Sequence, residues 1–227
     1  MQVWCDINNT LACARVEAPP VGRLPGPVLR VLRVLRVLRR ERAVRRYCEA
    51  MSEPPIVQKG LQPLAEPVKG AVITVSDRCA SGEREDLSGP LAQRLLGQHD
   101  VVVAGVQLVP DGVESVRAAI EQALVEGARV IVTTGGTGVT PHDLTPEGTA
   151  PLLESRLEGI EAQIRAHGLT KTPLAGLSRG LVGVTGRGAH DALVVNAPGS
   201  RGGVKDTVAV IGPLVPHVLE QLGGGDH

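Results

Sequence analysis

The residues best suited to chemistry lie in one continuous stretch, TTGGTGVTPHDLTPEGT, which is residues 133–149. Its glycine-rich turn at residues 135–138 follows an apolar run that is typical of a buried strand. Glycine permits close approach and unusual φ values, so the backbone N–H groups of such a turn can hold a phosphate. The turn is not a G-x-G-x-x-G motif, and the chain has no G-x-x-x-x-G-K-[ST] loop. By itself the turn is also consistent with a tight connection between a strand and a loop.

A carboxylate follows this turn. Asp143 lies between Pro141 and Pro146, and Thr140 to Asp143 matches a capping box, in which Asp143 would only stabilise a helix start. Pro146 argues against that interpretation, because the residue before a proline is pushed out of the helical conformation. A helix beginning at Thr145 is the better local prediction. Asp143 is then a loop carboxylate beside a phosphate cradle, where it could ligate Mg²⁺ or position a nucleophile.

Predicted strands and helices alternate over residues 71–134, and these elements must position the glycine turn and Asp143. Apolar runs predict strands over residues 71–75, 101–109 and 130–134, and helical spacing predicts helices over residues 90–97, with Ser88 as N-cap, and 116–124. This order predicts a three-layer α/β fold with a mostly parallel central sheet and helices on both faces. In such sheets ligands bind at the carboxyl ends of the strands.

The second half is predicted to complete this layer structure. We expect a helical stretch near residues 150–167, a hairpin formed by residues 181–185 and 192–196, and a closing helix over residues 204–222 that bends at Pro213 and Pro216. The folded body is then residues 70–222, a typical size for one domain, followed by a flexible tail at 223–227. Residues 51–69 are proline-rich and are predicted to be a linker or arm.

Residues 1–50 differ from the body in charge and in complexity. They hold 10 of the 24 Lys and Arg residues but 4 of the 24 Asp and Glu residues, a net charge of +6 against −6 for the rest. Residues 28–40 read VLRVLRVLRVLRR, a three-residue repeat that keeps no apolar face on an α-helix. One interpretation is a basic helix that contacts anionic lipid or nucleic acid. The other is a segment that is not translated, with synthesis starting at Met51.

Composition excludes several classes of protein. A globally basic nucleic-acid binder is excluded because the basic residues are concentrated in one tract. The body after Ser52 has no aromatic ring on which bases could stack. The sequence contains no C-x-x-C pair, so neither a zinc ribbon nor a disulfide scaffold is indicated. It also contains no run of about 18 apolar residues, the length that could span a membrane. We therefore expect a cytoplasmic protein whose body binds neither nucleic acid nor membrane.

Five segments of the body resemble, in the same order, the signature of one family of molybdenum cofactor biosynthesis proteins. This family includes MogA, MoaB and the G domains of gephyrin and its plant relatives. The matching segments are VSDR at residues 75–78, VPD at 109–111, TTGGTG with the following Asp-Leu-Thr-Pro-Glu at 133–147, LSR at 177–179 and NAPGS at 196–200. The similarity extends over about residues 70–222.

The resemblance implies an α/β domain, usually a homotrimer, that binds molybdopterin. MogA-type members use Mg-ATP to adenylate the terminal phosphate of molybdopterin and release pyrophosphate, and the product is then passed to a molybdenum insertase. By resemblance, Asp111 and Asp143 are the catalytic carboxylates, and Asp143 also places Mg²⁺. The substrate and nucleotide contacts implied in the same way are Ser76, Asp77, Thr134, Gly135, Gly136, Thr137, Gly138, Ser178, Arg179, Asn196, Pro198, Gly199 and Ser200.

Other functions remain open at this point. A MoaB-like protein would hold molybdopterin without efficient adenylyl transfer, although the sequence around Asp143 favours the transferase. A gephyrin-like scaffold would need partner domains, and a relative of the competence-damage family would need a second domain, for which 227 residues leave no room. One local departure concerns Gly148, which replaces the alanine usual in the family. We expect it to loosen the first helical turn at a cost of up to about 1 kcal/mol.

Overall fold

The computed structural model of the protein describes Leu64 and residues 66–225. The predictions for residues 1–50, and for the part of the linker before Leu64, lie outside the described residues. The first strand in the described residues, β1, begins at Val68, within the segment predicted as a linker. Along the first half of the body the structure has β1 (Val68–Val75), α1 (Asp77–Ala80), α2 (Gly89–Gly97), β2 (Val101–Val109), α3 (Val113–Val125) and β3 (Val130–Thr134).

The second half is built from shorter elements. It contains α4 (Thr145–Thr149), a 3₁₀ turn (Ala150–Leu152), β4 (Ser155–Arg156), α5 (Glu158–Leu169), a second 3₁₀ turn (Pro173–Leu177), β5 (Val182–Val184), β6 (Leu193–Ala197), α6 (Arg201–Ile211), a third 3₁₀ turn (Gly212–Leu214) and α7 (Val215–Leu222). The predicted helix start at Thr145, the hairpin and the break of the closing helix at Pro213 are confirmed. Pro216 lies at the start of α7, where a missing N–H costs nothing.

All six strands form one sheet in the order β2-β1-β3-β6-β5-β4. The four strands β2, β1, β3 and β6 run parallel, β5 pairs antiparallel with β6, and β4 pairs antiparallel with β5. Parallel strands place their carboxyl ends at the same edge of the sheet. The loops after β1, β2, β3 and β6 therefore meet there, which is where the sequence places the predicted site.

Helices cover both faces of the sheet and give the predicted three layers. On one face, α2, α6 and α7 pack residues such as Leu96 and Ile211 against Val72 and Val132 of the sheet. On the other face, α3 packs Val116 and Ile120 against the opposite side chains of the strands. The central strands are buried on both faces, which explains why they consist of continuous apolar runs rather than an alternating pattern. The predicted fold class is confirmed.

The structure corrects two local predictions. The helix expected near residues 150–167 begins only at Glu158, because Ser155 and Arg156 pair with β5 and the chain is extended there. Ser88 precedes α2 as predicted, but its side chain makes no capping hydrogen bond to that helix. Asp86 performs this function instead, since its Oδ1 accepts from the amides of Ser88 (2.9 Å) and Gly89 (3.0 Å).

No helix within the described residues is both long and apolar enough to cross a membrane. The longest described helix is α3, which has 13 residues and packs four of them into the core.

Gly148 provides a test of how closely α4 packs. A Cβ built at this position would lie 2.7 Å from the carbonyl oxygen of Val113 and 3.0 Å from Cβ of Val116. Glycine is therefore required by the contact between α4 and α3, which the sequence interpretation did not foresee. We expect Gly148→Ala to lower the free energy of unfolding by about 1–3 kcal/mol, because overpacking outweighs the gain in helix propensity.

The matched control is Gly159→Ala in α5, where a Cβ would meet nothing within 4 Å. This variant should be about 0.4–1 kcal/mol more stable than the wild type, since alanine reduces the entropy of the unfolded chain. Both values can be measured by urea unfolding. Equal stabilisation by the two substitutions would contradict the close packing of α4 on α3.

Candidate functional site

A cavity of about 630 Å³ opens at the carboxyl ends of the parallel strands. Segments that follow β1, β2, β3 and β6 all contribute to its wall. It brings together ten of the predicted site residues, which are Ser76, Asp111, Thr134, Gly135, Gly136, Thr137, Gly138, Asp143, Gly199 and Ser200. Asp77, Ser178, Arg179, Asn196 and Pro198 do not line it. The topology therefore assembles most of the predicted site from four segments that are distant in sequence.

The glycine turn after β3 requires glycine at two positions. Gly135 has φ +102°, and a Cβ there would lie 2.3 Å from the carbonyl oxygen of Val75. Gly136 has φ +59°, and its Cβ would lie 2.3 Å from Oγ1 of Thr145. The turn is tied down by Thr145, whose hydroxyl donates to the carbonyl of Gly135 (2.9 Å) and whose amide donates to that of Gly136 (3.0 Å).

Two amides of this turn have no internal acceptor. Within the part of the chain that the structure describes, the N–H groups of Gly136 and Thr137 make no hydrogen bond. Their neighbours on the cavity wall are fixed by the contacts of Thr145. Backbone amides held in this way at the end of a strand can bind an anion without rearrangement. The turn therefore has the features expected of a phosphate cradle.

Asp111 is held at the cavity by a reciprocal pair of hydrogen bonds with Asp77. The amide of Asp77 donates to Oδ2 of Asp111 (2.9 Å), and the amide of Asp111 donates to Oδ1 of Asp77 (3.0 Å). This pair joins the end of β1 to the end of β2. Oδ1 of Asp111 lies near the glycine turn, 3.5 Å from the position of a Cβ on Gly136. Asp77 thus positions Asp111 rather than facing the cavity.

Asp143 makes the contacts of a capping box, but it lies in a loop before the helix, as the second interpretation predicted. Its Oδ2 accepts from the amide (2.9 Å) and the hydroxyl (2.7 Å) of Thr140, as in a capping box, but α4 begins only at Thr145. Burial raises the pKa of Asp143, but hydrogen bonds from Thr140 and from the Gly138 amide, with the charge of Arg179, outweigh it. The pKa is therefore below its ordinary value, and the group is a carboxylate at neutral pH.

Arg179 links three parts of the site from outside the cavity. Its Nε donates to the carbonyl of Gly138 (2.7 Å), and its guanidinium also donates to the carbonyl of Asp143 and pairs with the carboxylate of Glu147. The hydrogen bond from Arg179 holds the pKa of Glu147 below its ordinary value. The residue predicted to contact a substrate is therefore placed where it fixes the glycine turn, the Asp143 turn and α4 relative to one another.

Asn196 is also placed away from the cavity, because its side chain is buried and fully engaged. It is 2% exposed, and its amide nitrogen donates to the hydroxyls of Thr133 and Thr149, both at 3.0 Å. Its Oδ1 accepts from the amide of Leu181 (3.2 Å). These bonds connect β6 to β3, to α4 and to the start of β5, so Asn196 stabilises the wall behind the site.

The remaining predicted serines and Pro198 have local roles that the structure defines. Ser76 and Ser200 line the cavity and also cap α1 and α6, accepting from the amides of Cys79 (3.4 Å) and Gly203 (3.0 Å). Ser178 is half-buried, and its hydroxyl accepts from the amide of Gly180 (3.4 Å). Pro198 packs against position 203, where a Cβ would lie 2.6 Å from its ring.

Several cavity residues were missed by the sequence analysis. Oδ2 of Asp86 accepts from the hydroxyl of Thr74 (2.7 Å), and the hydroxyl of Ser88 donates to the carbonyl of Gly199 (2.7 Å). Three arginines also line the cavity, and they are Arg78, Arg84 and Arg201. Arg78 lies in the VSDR segment that carries the family resemblance, but for Arg84 and Arg201 the only signal was their position in the segments that follow β1 and β6. It is a weak signal, because exposed arginines are common after strands.

The donor set fits a magnesium ion held partly by its substrate, rather than a dedicated metal centre. Among residues 66–225, no three His, Cys, Asp or Glu side chains converge to hold a metal. Mg²⁺ is commonly bound by one or two carboxylates together with substrate phosphates and water. Asp111 and Asp143, beside the free amides of the glycine turn, provide such carboxylates.

The amino-acid sequence is similar to those of known proteins. A family described as a probable molybdopterin binding domain matches residues 71–217. A molybdenum cofactor biosynthesis bifunctional protein from Synechococcus elongatus is 39% identical over 160 residues, which are 70% of this chain and 49% of that protein. A molybdopterin adenylyltransferase from Pyrococcus furiosus is 39% identical over 156 residues, covering 67% of this chain and 89% of that protein.

A solved structure shows the same similarity in three dimensions. A molybdopterin biosynthesis protein from Mycobacterium abscessus is 42% identical and superposes with a TM-score of 0.64, covering 68% of this chain and 96% of that one. The chain spans about half the length of the bifunctional relative and most of the length of the adenylyltransferase.

Replacement of Asn196 tests its structural placement. Asn196→Ala removes three buried hydrogen bonds and leaves their partners unsatisfied, so we expect the free energy of unfolding to fall by about 2–4 kcal/mol. Ser178→Ala, which removes one long hydrogen bond in a half-buried loop, should change it by less than about 1 kcal/mol. Urea unfolding measures both. A small loss for Asn196→Ala would contradict the role assigned to its amide.

Replacement of Arg179 tests the link to α4. Arg179→Met should raise the pKa of Glu147 towards its ordinary value. A lowered carboxyl pKa stabilises the folded state above the unfolded pKa, and this contribution is lost as the pH falls through the folded pKa. The stability difference between wild type and variant should therefore be present at pH 7 and shrink below about pH 4.

Unfolding curves across this pH range, with NMR titration of the Glu147 carboxyl group, provide the measurement. The control is Arg187→Met, which removes an ion pair with Glu154 (3.2 Å) on a side chain that is 76% exposed. That variant should show little loss at any pH, because exposed pairs contribute little. A difference for Arg179→Met that does not change with pH would contradict the link.

Proposed function

The chain belongs to the family described as a probable molybdopterin binding domain, and we propose that it acts in molybdenum cofactor biosynthesis as a molybdopterin adenylyltransferase. The proposed reaction joins the terminal phosphate of molybdopterin to the α-phosphate of ATP and releases pyrophosphate. The observation that carries this proposal is the pairing of free glycine-turn amides with two carboxylates, Asp111 and Asp143, on one cavity wall. A relative 39% identical to this chain is named molybdopterin adenylyltransferase.

The chemistry of nucleotidyl transfer matches what this wall offers. A phosphate oxygen of molybdopterin attacks the α-phosphorus of ATP, and the bond to the β-phosphate breaks as pyrophosphate leaves. Such reactions depend on positioning and on stabilising charge, with little need for covalent chemistry by the protein. The amides of Gly136 and Thr137 would hold a phosphate of the nucleotide. Because the phosphates are already ionised at neutral pH, no general base is required.

Each carboxylate has a role that suits its environment. Asp143 is held ionised by its contacts with Thr140, which makes it a poor base and a good ligand for a cation. It would hold Mg²⁺, which supplies charge neutralisation to the triphosphate when bound. Asp111, fixed by Asp77, would orient the attacking phosphate beside the glycine turn. Ser76, Thr134, Gly199 and Ser200 would complete the wall around the substrates, while Ser178, Arg179, Asn196 and Pro198 would support it from behind.

We extend the proposal to the assembly and the location of the protein. The family resemblance supports a homotrimer that works in the cytoplasm and passes its product to a molybdenum insertase. We also propose that residues 70–222, together with the start of β1 at Val68, form the catalytic domain, and that residues 1–50 are dispensable for the reaction. Light scattering of the full chain and assays of residues 51–227 beside it address these points. A monomer at micromolar concentration would count against the trimer.

The direct test incubates the full chain with molybdopterin and Mg-ATP and follows adenylyl-molybdopterin and pyrophosphate. Product formed at a catalytic rate supports the transferase. Tight binding of molybdopterin without product would favour a MoaB-like binding protein. A folded protein that neither binds molybdopterin nor makes product would refute the proposed function.

Asp143→Asn provides the sharpest variant. The amide can still accept from Thr140, so the turn is kept while the negative charge is lost. We expect kcat to fall by at least about 100-fold, a loss typical of removing one electrostatic contact at a transition state. The affinity for molybdopterin should change little.

A matched control exists at Asp191, far from the cavity. Its carboxylate also accepts from an amide, that of Gly188 (2.8 Å), and from a hydroxyl, that of Thr185 (3.1 Å). Asp191→Asn should therefore leave kcat unchanged. Loss of both turnover and molybdopterin binding in Asp143→Asn would instead mean that Asp143 has only a structural role.

A further inference from the structure

Three arginines on the cavity wall are not used by the mechanism above. Arg78, Arg84 and Arg201 are exposed, and within the described residues none of their guanidinium groups has a hydrogen bond or an ion pair with the protein. The arginines that do have such a partner contact a carboxylate or a carbonyl, and they are Arg117, Arg129, Arg156, Arg165, Arg179 and Arg187. The cavity therefore presents three cations whose donors are available to a ligand.

Two hydrogen bonds bring these cations to the same part of the cavity. The amide of Arg84 donates to the carbonyl of Arg78 (2.9 Å), which holds both residues in one turn after β1. The hydroxyl of Ser88 donates to the carbonyl of Gly199 (2.7 Å), which joins this segment to the one that leads into Arg201. Segments more than 100 residues apart thus supply charges to one rim, called here the arginine rim and defined as Arg78, Arg84 and Arg201.

Four acidic residues also line the cavity, and they are Glu85, Asp86, Asp111 and Asp143. They differ in their distance along the wall from the arginine rim and in whether their carboxylates are hydrogen-bonded. Asp111 and Asp143 belong to the glycine-turn side, while Asp86 is occupied by the hydroxyl of Thr74 and the amides of Ser88 and Gly89. Glu85 is exposed and has no ion pair within the described residues. Of the four acidic residues that line the cavity, it is the one whose carboxylate has no hydrogen bond within the described residues, so it opposes the binding of an anion there.

We propose that the arginine rim is an anion subsite that binds a phosphate or pyrophosphate group of a substrate. Guanidinium groups form strong, often bidentate hydrogen bonds with phosphate oxygens. The glycine turn would hold one phosphate, and the arginine rim would hold a second anionic group at a distance from Asp111 and Asp143, which repel it. The identity of the substrate rests on the proposed function, but the binding of the anion does not.

The proposed reaction offers two sources of such an anion. One is the β- and γ-phosphates of ATP, which leave as pyrophosphate, and the other is the terminal phosphate of molybdopterin. The two sources are distinguished by steady-state kinetics. A larger KM for ATP in rim variants assigns the subsite to the triphosphate, and a larger KM for molybdopterin assigns it to the terminal phosphate.

The test measures the affinity of the full chain for inorganic pyrophosphate by titration calorimetry. Arg84→Gln and Arg201→Gln should each weaken binding by at least about tenfold, since each removes a charge-assisted hydrogen bond to the anion. The double variant should lose more than either single variant. Glu85→Gln should tighten binding by about two- to threefold, an effect of opposite sign that a merely structural role for the rim would not produce.

The control is Arg94→Gln, an exposed arginine of α2 that does not line the cavity, and it should not change the affinity. Because every substituted side chain is exposed, the variants are expected to keep the wild-type unfolding midpoint. A wild type that does not bind pyrophosphate, or a double variant that binds it within twofold of the wild type, would overturn the subsite.

The two proposals can fail separately. If the wild type binds pyrophosphate through the rim but makes no adenylyl product, the subsite stands and the proposed function fails. If rim variants make product with unchanged pyrophosphate affinity and unchanged KM values, the proposed function stands and the subsite fails.

Discussion

The close approach of Gly135 to the end of β1 is the contact on which the site depends. A single added Cβ would lie 2.3 Å from the carbonyl oxygen of Val75, so no other residue fits without displacing a strand of the central sheet. The amide of Gly135 donates to the carbonyl of Ala197 (3.0 Å), and its α-carbon lies against Gly199. The ends of β1, β3 and β6 can therefore meet at one point. The chain then turns there with its next amides exposed to the cavity.

The polar groups around the cavity divide into those that build it and those left for a ligand. The residues Asp77, Asp86, Thr145 and Arg179 each form a hydrogen bond with a group of another segment, and these contacts hold the loops in place. The amides of the glycine turn and the guanidinium groups of the arginine rim are not engaged by the protein. Groups that are fixed before a ligand arrives need no reorganisation to stabilise charge, which is the main requirement of phosphoryl chemistry. The contacts between segments thus make the wall rigid and also leave the groups that its proposed function requires available to a ligand.

Asp143 illustrates how a local turn can serve such chemistry. Its contacts with Thr140 would stabilise a helix start elsewhere, but here the helix begins only at Thr145, two residues after Asp143, and the carboxylate stays at the cavity. The same contacts, with the Gly138 amide and Arg179, outweigh the effect of burial on its pKa and keep it charged. A residue used in this way binds cations and orients phosphates more readily than it transfers protons. This environment suits the cation-binding role proposed for Asp143.

The sequence by itself determined the features that depend on neighbouring residues. Apolar runs identified the central strands because strands buried on both faces must be apolar throughout, and Pro146 identified Asp143 as a loop carboxylate. The family signature then located Asp111 and the glycine turn. Only the tertiary structure decided which contacts Asn196, Arg179 and Gly148 make and that the arginines of the rim lie on one cavity. Each of these features depends on a contact with a distant segment, such as Ser88 with Gly199 or Gly148 with Val113, and local patterns carry no information about which segments a fold brings together.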